Sequence, residues 1–127
     1  MLALSSLLLA SALVQGGSDS TSKLPGPGIS LALSRARAAT ISDVRYELAL
    51  DITARDSAVG RVEIRFHRSG KRDVIVDFRG RRLGAVRVND TSLDAPRLVH
   101  GHLILPASAL RAGENTVNAD FVADIAP

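Results

Sequence analysis

Residues 44–52, VRYELALDI, carry the most regular alternation of apolar and polar side chains in the chain. Val44, Tyr46, Leu48, Leu50 and Ile52 fall on one side, and charged or small residues fall on the other. A period of two is typical of a β-strand with one buried and one solvated face. The stretch therefore predicts a strand whose apolar side faces the core.

The same period returns along the rest of the chain in short runs separated by turn residues. The runs are 61–67 (RVEIRFH), 73–78 (DVIVDF), 83–90 (LGAVRVND), 97–106 (RLVHGHLILP) and 116–123 (TVNADFVA). Short strands at this spacing favour an antiparallel sheet or sandwich, and 44–52 and 61–67 are expected to form a hairpin. A helical turn is predicted after Pro106, ended by Gly113.

A short helix is predicted over residues 30–39, SLALSRARAA, before the first strand. Ser30 suits the N-cap position, because its hydroxyl can accept a hydrogen bond from a free N–H of the first turn. Leu31, Ser34 and Ala38 would share one face. The predicted class is therefore all-β, with an antiparallel saddle-like sheet or sandwich and one short N-terminal helix.

The N-terminal residues predict export. Residues 2–10 are apolar but too short to span a bilayer, and Ala10-Ser11-Ala12 offers the small residues that a signal peptidase accepts. Because no Lys or Arg precedes this stretch, a buried helix is the alternative. We predict a signal peptide at 1–17, a flexible linker rich in Gly, Ser and Pro at 18–27, and a β domain at 28–127, in a periplasmic or extracellular protein.

Composition restricts the classes of function. The length of 127 residues suits one domain, and 46% hydrophobic residues disfavour a disordered chain. There is no Cys, which excludes disulfide scaffolds, thiolate zinc sites and cysteine nucleophiles. The net charge is only +3, from 14 Arg and 2 Lys against 13 acidic residues, and aromatic residues make up 3%. Nucleic-acid binding is therefore disfavoured, and the Arg residues at 65–72 and 79–87 are expected on solvated faces.

Few residues offer catalytic or metal-binding chemistry, and no catalytic, cofactor or metal site is predicted. The histidines are His67, His100 and His102, without a His-Glu-x-x-His helix. His100 and His102 could share a strand face, but a metal needs three or four converging ligands, so a hairpin tip at the surface is favoured. The candidate acids are Asp51, Asp56, Glu63 and Asp77, all expected on outward faces or in turns. Asn89-Asp90-Thr91 matches a glycosylation sequon but favours a turn.

An ordered series of short motifs covers about residues 27–123. It comprises Pro27-Gly28-Ile29-Ser30, Leu33, Arg37-Ala38, Ile41-Ser42-Asp43-Val44-x-Tyr46-x-Leu48, Gly60-x-Val62-x-Ile64-x-Phe66, Val76-Asp77-Phe78-x-Gly80, Val86-x-Val88-Asn89, His102-Leu103-Ile104-Leu105-Pro106, Leu110-x-x-Gly113-x-Asn115-x-Val117 and Phe121. The series resembles the amino-terminal domain of the M1-family zinc aminopeptidases.

The resemblance implies a saddle-like, non-catalytic β domain that packs on a zinc-binding catalytic domain. The family's zinc and substrate motifs lie in that later domain, and neither motif occurs in this chain. The chain is thus expected to match about the first half of the amino-terminal domain, to be incomplete at its C-terminal end and marginally stable, and to have no activity alone. The alternative is a stand-alone β-sandwich or jelly-roll ligand-binding module of an exported protein.

Overall fold

The structure, a computed structural model, describes residues 25–125 and is mostly β. Within these residues one helix, α1 (Leu31–Thr40), precedes eight strands. The strands are β1 (Ile41–Asp51), β2 (Ser57–Arg68), β3 (Val74–Asp77), β4 (Arg82–Val88), β5 (Thr91–Leu93), β6 (Arg97–Val99), β7 (His102–Leu105) and β8 (Gly113–Asp124). A 3-10 helix at Ala107–Ala109 leads from β7 towards β8. The predicted all-β class with one short N-terminal helix is confirmed.

The strands form two antiparallel sheets. The larger has the order β1-β2-β8-β4-β5, and the smaller has the order β3-β7-β6. The predicted hairpin of β1 and β2 is present, with Leu48 opposite Val62. β8 lies in the middle of the larger sheet because both β2 and β4 pair with it, so the last strand of the chain joins the early hairpin to the later one.

The core lies between the inner faces of the two sheets. Burial follows the alternation of the sequence on the central strands, because every second side chain of β2, β4 and β8 points inward. Buried apolar side chains of both sheets form one cluster; it contains Ile64, Phe66, Val74, Val86, Val88, Leu103, Leu105, Ala109, Leu110, Val117 and Ala119.

Helix α1 begins as predicted but presents a different face to the domain. The Ser30 hydroxyl accepts a hydrogen bond from the Leu33 N–H at 3.1 Å, which makes Ser30 the N-cap. The face shared by Leu31, Ser34 and Ala38 does not pack on the sheets, since Leu31 is 65% exposed and no residue of the helix is buried. Instead, an ion pair between Arg37 and Asp77 of β3 turns the side containing Arg37 towards the sheets.

Polar side chains fix two of the connections. Asn89 adopts a φ of 52° in the turn between β4 and β5, and its side chain bonds both the Ala109 carbonyl and Asn115. Asn115 is 1% exposed and closes the loop before β8, where its amide donates to the carbonyls of Arg111 and Gly113. Asn89 therefore serves as a turn residue, as predicted, and these bonds satisfy polar groups that the core would otherwise leave unpaired.

The predicted signal peptide, 1–17, and residues 18–24 of the predicted linker lie outside the described residues. Among residues 25–125, no helix has the length and apolar character needed to cross a bilayer.

Candidate functional site

The inner face of β1 is an apolar surface that the described residues leave uncovered. Tyr46, Leu48 and Leu50 lie on the same face as the buried side chains of β2, yet they are 65%, 58% and 51% exposed. Val44 and Ile52 are exposed as well. The alternation that predicted this strand is present, but the expectation of a buried apolar face is wrong. The reason is positional, because β1 is an edge strand of the larger sheet. The larger sheet contributes buried residues to the core only from β2, β4 and β8.

The uncovered face continues into an open groove of about 590 Å³ between the two sheets. One wall consists of β1, β2 and β8, and the other consists of β3 and the end of α1. Its lining is mostly aliphatic and aromatic, and includes Tyr46, Leu48, Val62, Val76, Phe78, Leu83, Phe121 and Ala123. Such a surface loses free energy when it leaves water, so the groove is suited to contact with another apolar surface or ligand.

Two aromatic rings that line the groove pack against each other, and this pair is called the aromatic floor. Phe78 and Phe121 meet edge to face, with ring centroids 6.2 Å apart. The Phe121 ring lies over Gly60, its direct neighbour on β2, and the Phe78 ring lies over Gly80. A Cβ at either glycine would overlap the ring, so the absence of these two side chains makes room for the aromatic floor.

A polar corner at one side of the groove joins α1, β3 and β7. Arg37 donates two hydrogen bonds to the Asp77 carboxylate, at 2.9 and 2.7 Å. The Arg37 guanidinium is the main cause that holds the pKa of Asp77 below its ordinary value, with a smaller contribution from His102. Asp77 also lies directly opposite His102 in the smaller sheet.

His102 is buried, so the prediction that it lies at the surface is wrong. Its Nδ1 is 2.7 Å from Asp77 Oδ1, and its Nε2 is 2.9 Å from the Gly28 carbonyl and 3.2 Å from the Gly26 carbonyl. Both ring nitrogens thus face acceptors, and both can donate only in the protonated ring. The corner therefore ties the segment before α1 to the sheet. The sequence gives no local sign of this pairing, because Asp77 and His102 come together only through strand register.

The other candidate residues do not assemble into a catalytic or metal centre within residues 25–125. His100 and Gly101 form the turn between β6 and β7, both with positive φ, so His100 lies at the predicted hairpin tip. His67 is exposed on the outer face of β2. In the described part of the chain, no three His, Asp or Glu side chains converge as metal ligands would.

Lowered pKa values disfavour proton donation by three of the four acidic candidates, Asp51, Asp56 and Asp77. A hydrogen bond from the Thr53 N–H lowers the pKa of Asp51, and bonds from Ser57 and Arg81 lower the pKa of Asp56. Glu63 accepts a hydrogen bond from Arg65. A general acid at neutral pH needs a raised pKa, so the directions at Asp51, Asp56 and Asp77 disfavour that role.

Several of the arginines form ion pairs on the outer surface, as the interleaved acidic residues indicated. The pairs include Arg61 with Asp120, Arg81 with Asp56 and Asp124, and Arg111 with Asp90. Arg68 differs, since it is 5% exposed and donates to the Arg72 carbonyl. The Arg65–Arg72 group is therefore not an open row of cations.

Comparison with known proteins identifies no relative of the chain. No family model matches it, and no curated protein matches its sequence.

Proposed function

We propose that the chain is a non-catalytic β domain of an exported, M1-type zinc aminopeptidase. In this role it packs on the catalytic domain, caps the active-site cleft and helps to position the peptide substrate. The observation that carries the proposal is the uncovered apolar face of β1 beside the groove. A domain that functions alone rarely leaves a contiguous face of this kind in water, whereas a domain that docks on another needs one.

The motif series supports the choice of family, and the N-terminal sequence supports export. Among residues 25–125, no three His, Asp or Glu side chains converge as metal ligands would. The proposal accordingly assigns zinc and peptide hydrolysis to the catalytic domain, and contact with the peptide to this chain only indirectly.

The first test determines the DNA sequence downstream of the Pro127 codon and assays the purified chain for hydrolysis of aminoacyl amides. An in-frame continuation that encodes a His-Glu-x-x-His helix, together with no hydrolysis of aminoacyl amides by the chain in added zinc, is the expected result. Hydrolysis by the chain alone, or a stop codon followed by unrelated sequence, would contradict the proposal.

The second test measures docking, by co-expressing the chain with that downstream region as a separate polypeptide. Leu48→Asp places a charge on the apolar face and is expected to weaken co-purification at least tenfold. Val59→Asp is the matched control, because Val59 is also 58% exposed but lies on the outer face. Equal loss with both variants would contradict docking through this face.

A stand-alone ligand-binding module is the second candidate, and the groove favours it. Its volume of about 590 Å³ falls in the range of small-molecule sites. The lining suits an aliphatic ligand better than a sugar, since Tyr46 is an exposed aromatic ring but does not form a platform with others. Calorimetric titration with medium-chain fatty acids tests this function, and saturable binding that Leu48→Asp removes would favour it over docking.

A further inference from the structure

β1 is a regular edge strand, and no described residue pairs with its free edge. Its pairing with β2 is continuous from Arg45 to Asp51, and the register is interrupted between Ser42 and Arg45, where Asp43 has a φ of 51°. All of β1 beyond Ile41 is exposed. Among residues 25–125, no strand pairs with the other side of β1, so its outward backbone groups can accept a further strand.

The outer face of β1 carries a charged row, Arg45, Glu47 and Asp51. Two of its members lie directly opposite like charges on β2, although Glu47 is also attracted by Arg65. Arg45 lies directly opposite Arg65, and Glu47 lies directly opposite Glu63. Like charges directly opposite each other in a sheet are destabilising. Arg65 is bonded to Glu63 on its own strand, whereas Arg45 forms no ion pair with any residue in 25–125. At the other end of the regular stretch, Asp51 is hydrogen-bonded to the nearby Thr53 and forms no ion pair with any residue in 25–125.

The same row is complementary to a second copy of itself. We propose that two copies of the chain pair antiparallel through β1, about a two-fold axis at Leu48. In this register Arg45 of each copy lies opposite Asp51 of the other, and Glu47 lies opposite Ala49. On the inner face Tyr46 lies opposite Leu50, and Leu48 lies opposite its own counterpart. The two larger sheets become one sheet through a symmetric interface.

Neighbouring registers are less favourable. An axis at Glu47 places Glu47 opposite itself, and an axis at Ala49 places Glu47 opposite Asp51, so both bring like charges together. An axis at Tyr46 carries the ladder into the irregular segment before Arg45, and an axis at Leu50 carries it past the end of the strand. Only the axis at Leu48 pairs the whole regular stretch from Arg45 to Asp51 and places an Arg45–Asp51 pair at each end of it.

Pairing of the edges is compatible with the proposed function but does not depend on it, because docking would use the inner face and pairing uses the backbone edge. The two are separable by Arg45→Glu, which disturbs the pairing and leaves the apolar face unchanged.

Sedimentation equilibrium of the purified protein over a range of concentrations measures the pairing. Arg45→Glu and Asp51→Arg are each expected to weaken the dimer about tenfold, because each places like charges opposite one another twice. The double variant is expected to return to within about threefold of the natural protein. Arg87→Glu is the control, an equal charge change on the exposed outer face of β4. A monomer at all concentrations, or no recovery in the double variant, would overturn the proposal.

Cross-linking tests the register itself, since the chain has no cysteine. Leu48→Cys brings the two new thiols opposite each other, at a separation that suits a disulfide. We expect it to form a covalent dimer on mild oxidation at least fivefold faster than Leu50→Cys, whose counterpart would be Tyr46. Equal rates, or faster dimerisation of Leu50→Cys, would overturn the axis at Leu48.

Discussion

Gly60 shows how one missing side chain shapes the groove. It sits on the inner face of β2, at a position where the alternation calls for an apolar residue, and the ring of Phe121 occupies the space above it. Gly in a strand is costly to order, so its presence here is best explained by this close approach. The ring then meets Phe78 to form the aromatic floor.

Gly60→Ala is therefore expected to destabilise the protein by about 1 kcal/mol, since the new Cβ would displace the Phe121 ring from its position over Gly60 and against Phe78. Urea unfolding followed by circular dichroism measures the change. Gly60→Ala combined with Phe121→Leu should recover part of the loss. Gly26→Ala is the control, because a Cβ there meets nothing within 4 Å, and an equal loss in that variant would contradict the explanation.

Asp77 links pH to stability at the polar corner. Its pKa is lowered in the folded protein, chiefly by Arg37, so its contribution is present above the ordinary carboxyl pKa and disappears as pH falls through the lowered value. The free energy of unfolding of the natural protein should thus fall by about 1 kcal/mol from this source between pH 7 and strongly acid pH.

The test compares urea unfolding of the natural protein and Asp77→Asn at pH 7 and pH 3. The variant is expected to be less stable at pH 7 and to show a smaller decrease at pH 3. Asp94→Asn changes an exposed carboxyl between β5 and β6 and serves as the control. A pH dependence identical in Asp77→Asn and the natural protein would show that the ion pair contributes nothing.

At the scale of the element, β1 and α1 depend on the rest of the molecule less than the central strands do. β1 is held by its ladder to β2 on one side, and its side chains remain exposed on both faces. α1 buries none of its residues and is fixed by its cap and by the Arg37–Asp77 pair. Both elements are therefore expected to open more easily than β2, β4 and β8, whose inner side chains form the core.

Ser30→Ala removes the cap of α1 and is expected to weaken that helix by about 1 kcal/mol. Because α1 buries nothing, the loss should appear in local opening rather than in global unfolding. Hydrogen exchange followed by NMR should show faster exchange of the α1 amides, while those of β8 stay unchanged. A uniform increase across the sheets would instead mean that the helix is coupled to the core.

At the scale of the whole molecule, the core is offset towards the side where both sheets meet, and the β1 side is open to water. Such an arrangement buries less apolar surface than a closed sandwich of the same length, which lowers the free energy of unfolding. It also leaves a face that hydrophobic dyes can bind.

We expect the isolated protein to bind a hydrophobic dye in its native state and to unfold below about 60 °C. Leu48→Asp should reduce dye fluorescence without a large loss of stability, because Leu48 is exposed, and Val59→Asp is the control on the outer face. A cooperative transition above that temperature with no dye signal would contradict this picture of an open sandwich.

The sequence by itself determined most of the elements, because they follow from local periods and caps. It missed β5, and Gly113 begins β8 instead of ending the predicted helical turn. The alternation at 44–52, the N-cap Ser30 and the turn at Asn89 all predicted what the structure contains. Tertiary structure alone decided which apolar faces are covered and which distant residues meet. Alternation shows which side of a strand is apolar but not whether another layer packs on it. The apolar face of β1 was therefore expected to be buried, and it is exposed. Strand order and register bring Asp77 to His102 across the smaller sheet and Phe121 over Gly60, and no short-range pattern encodes either contact.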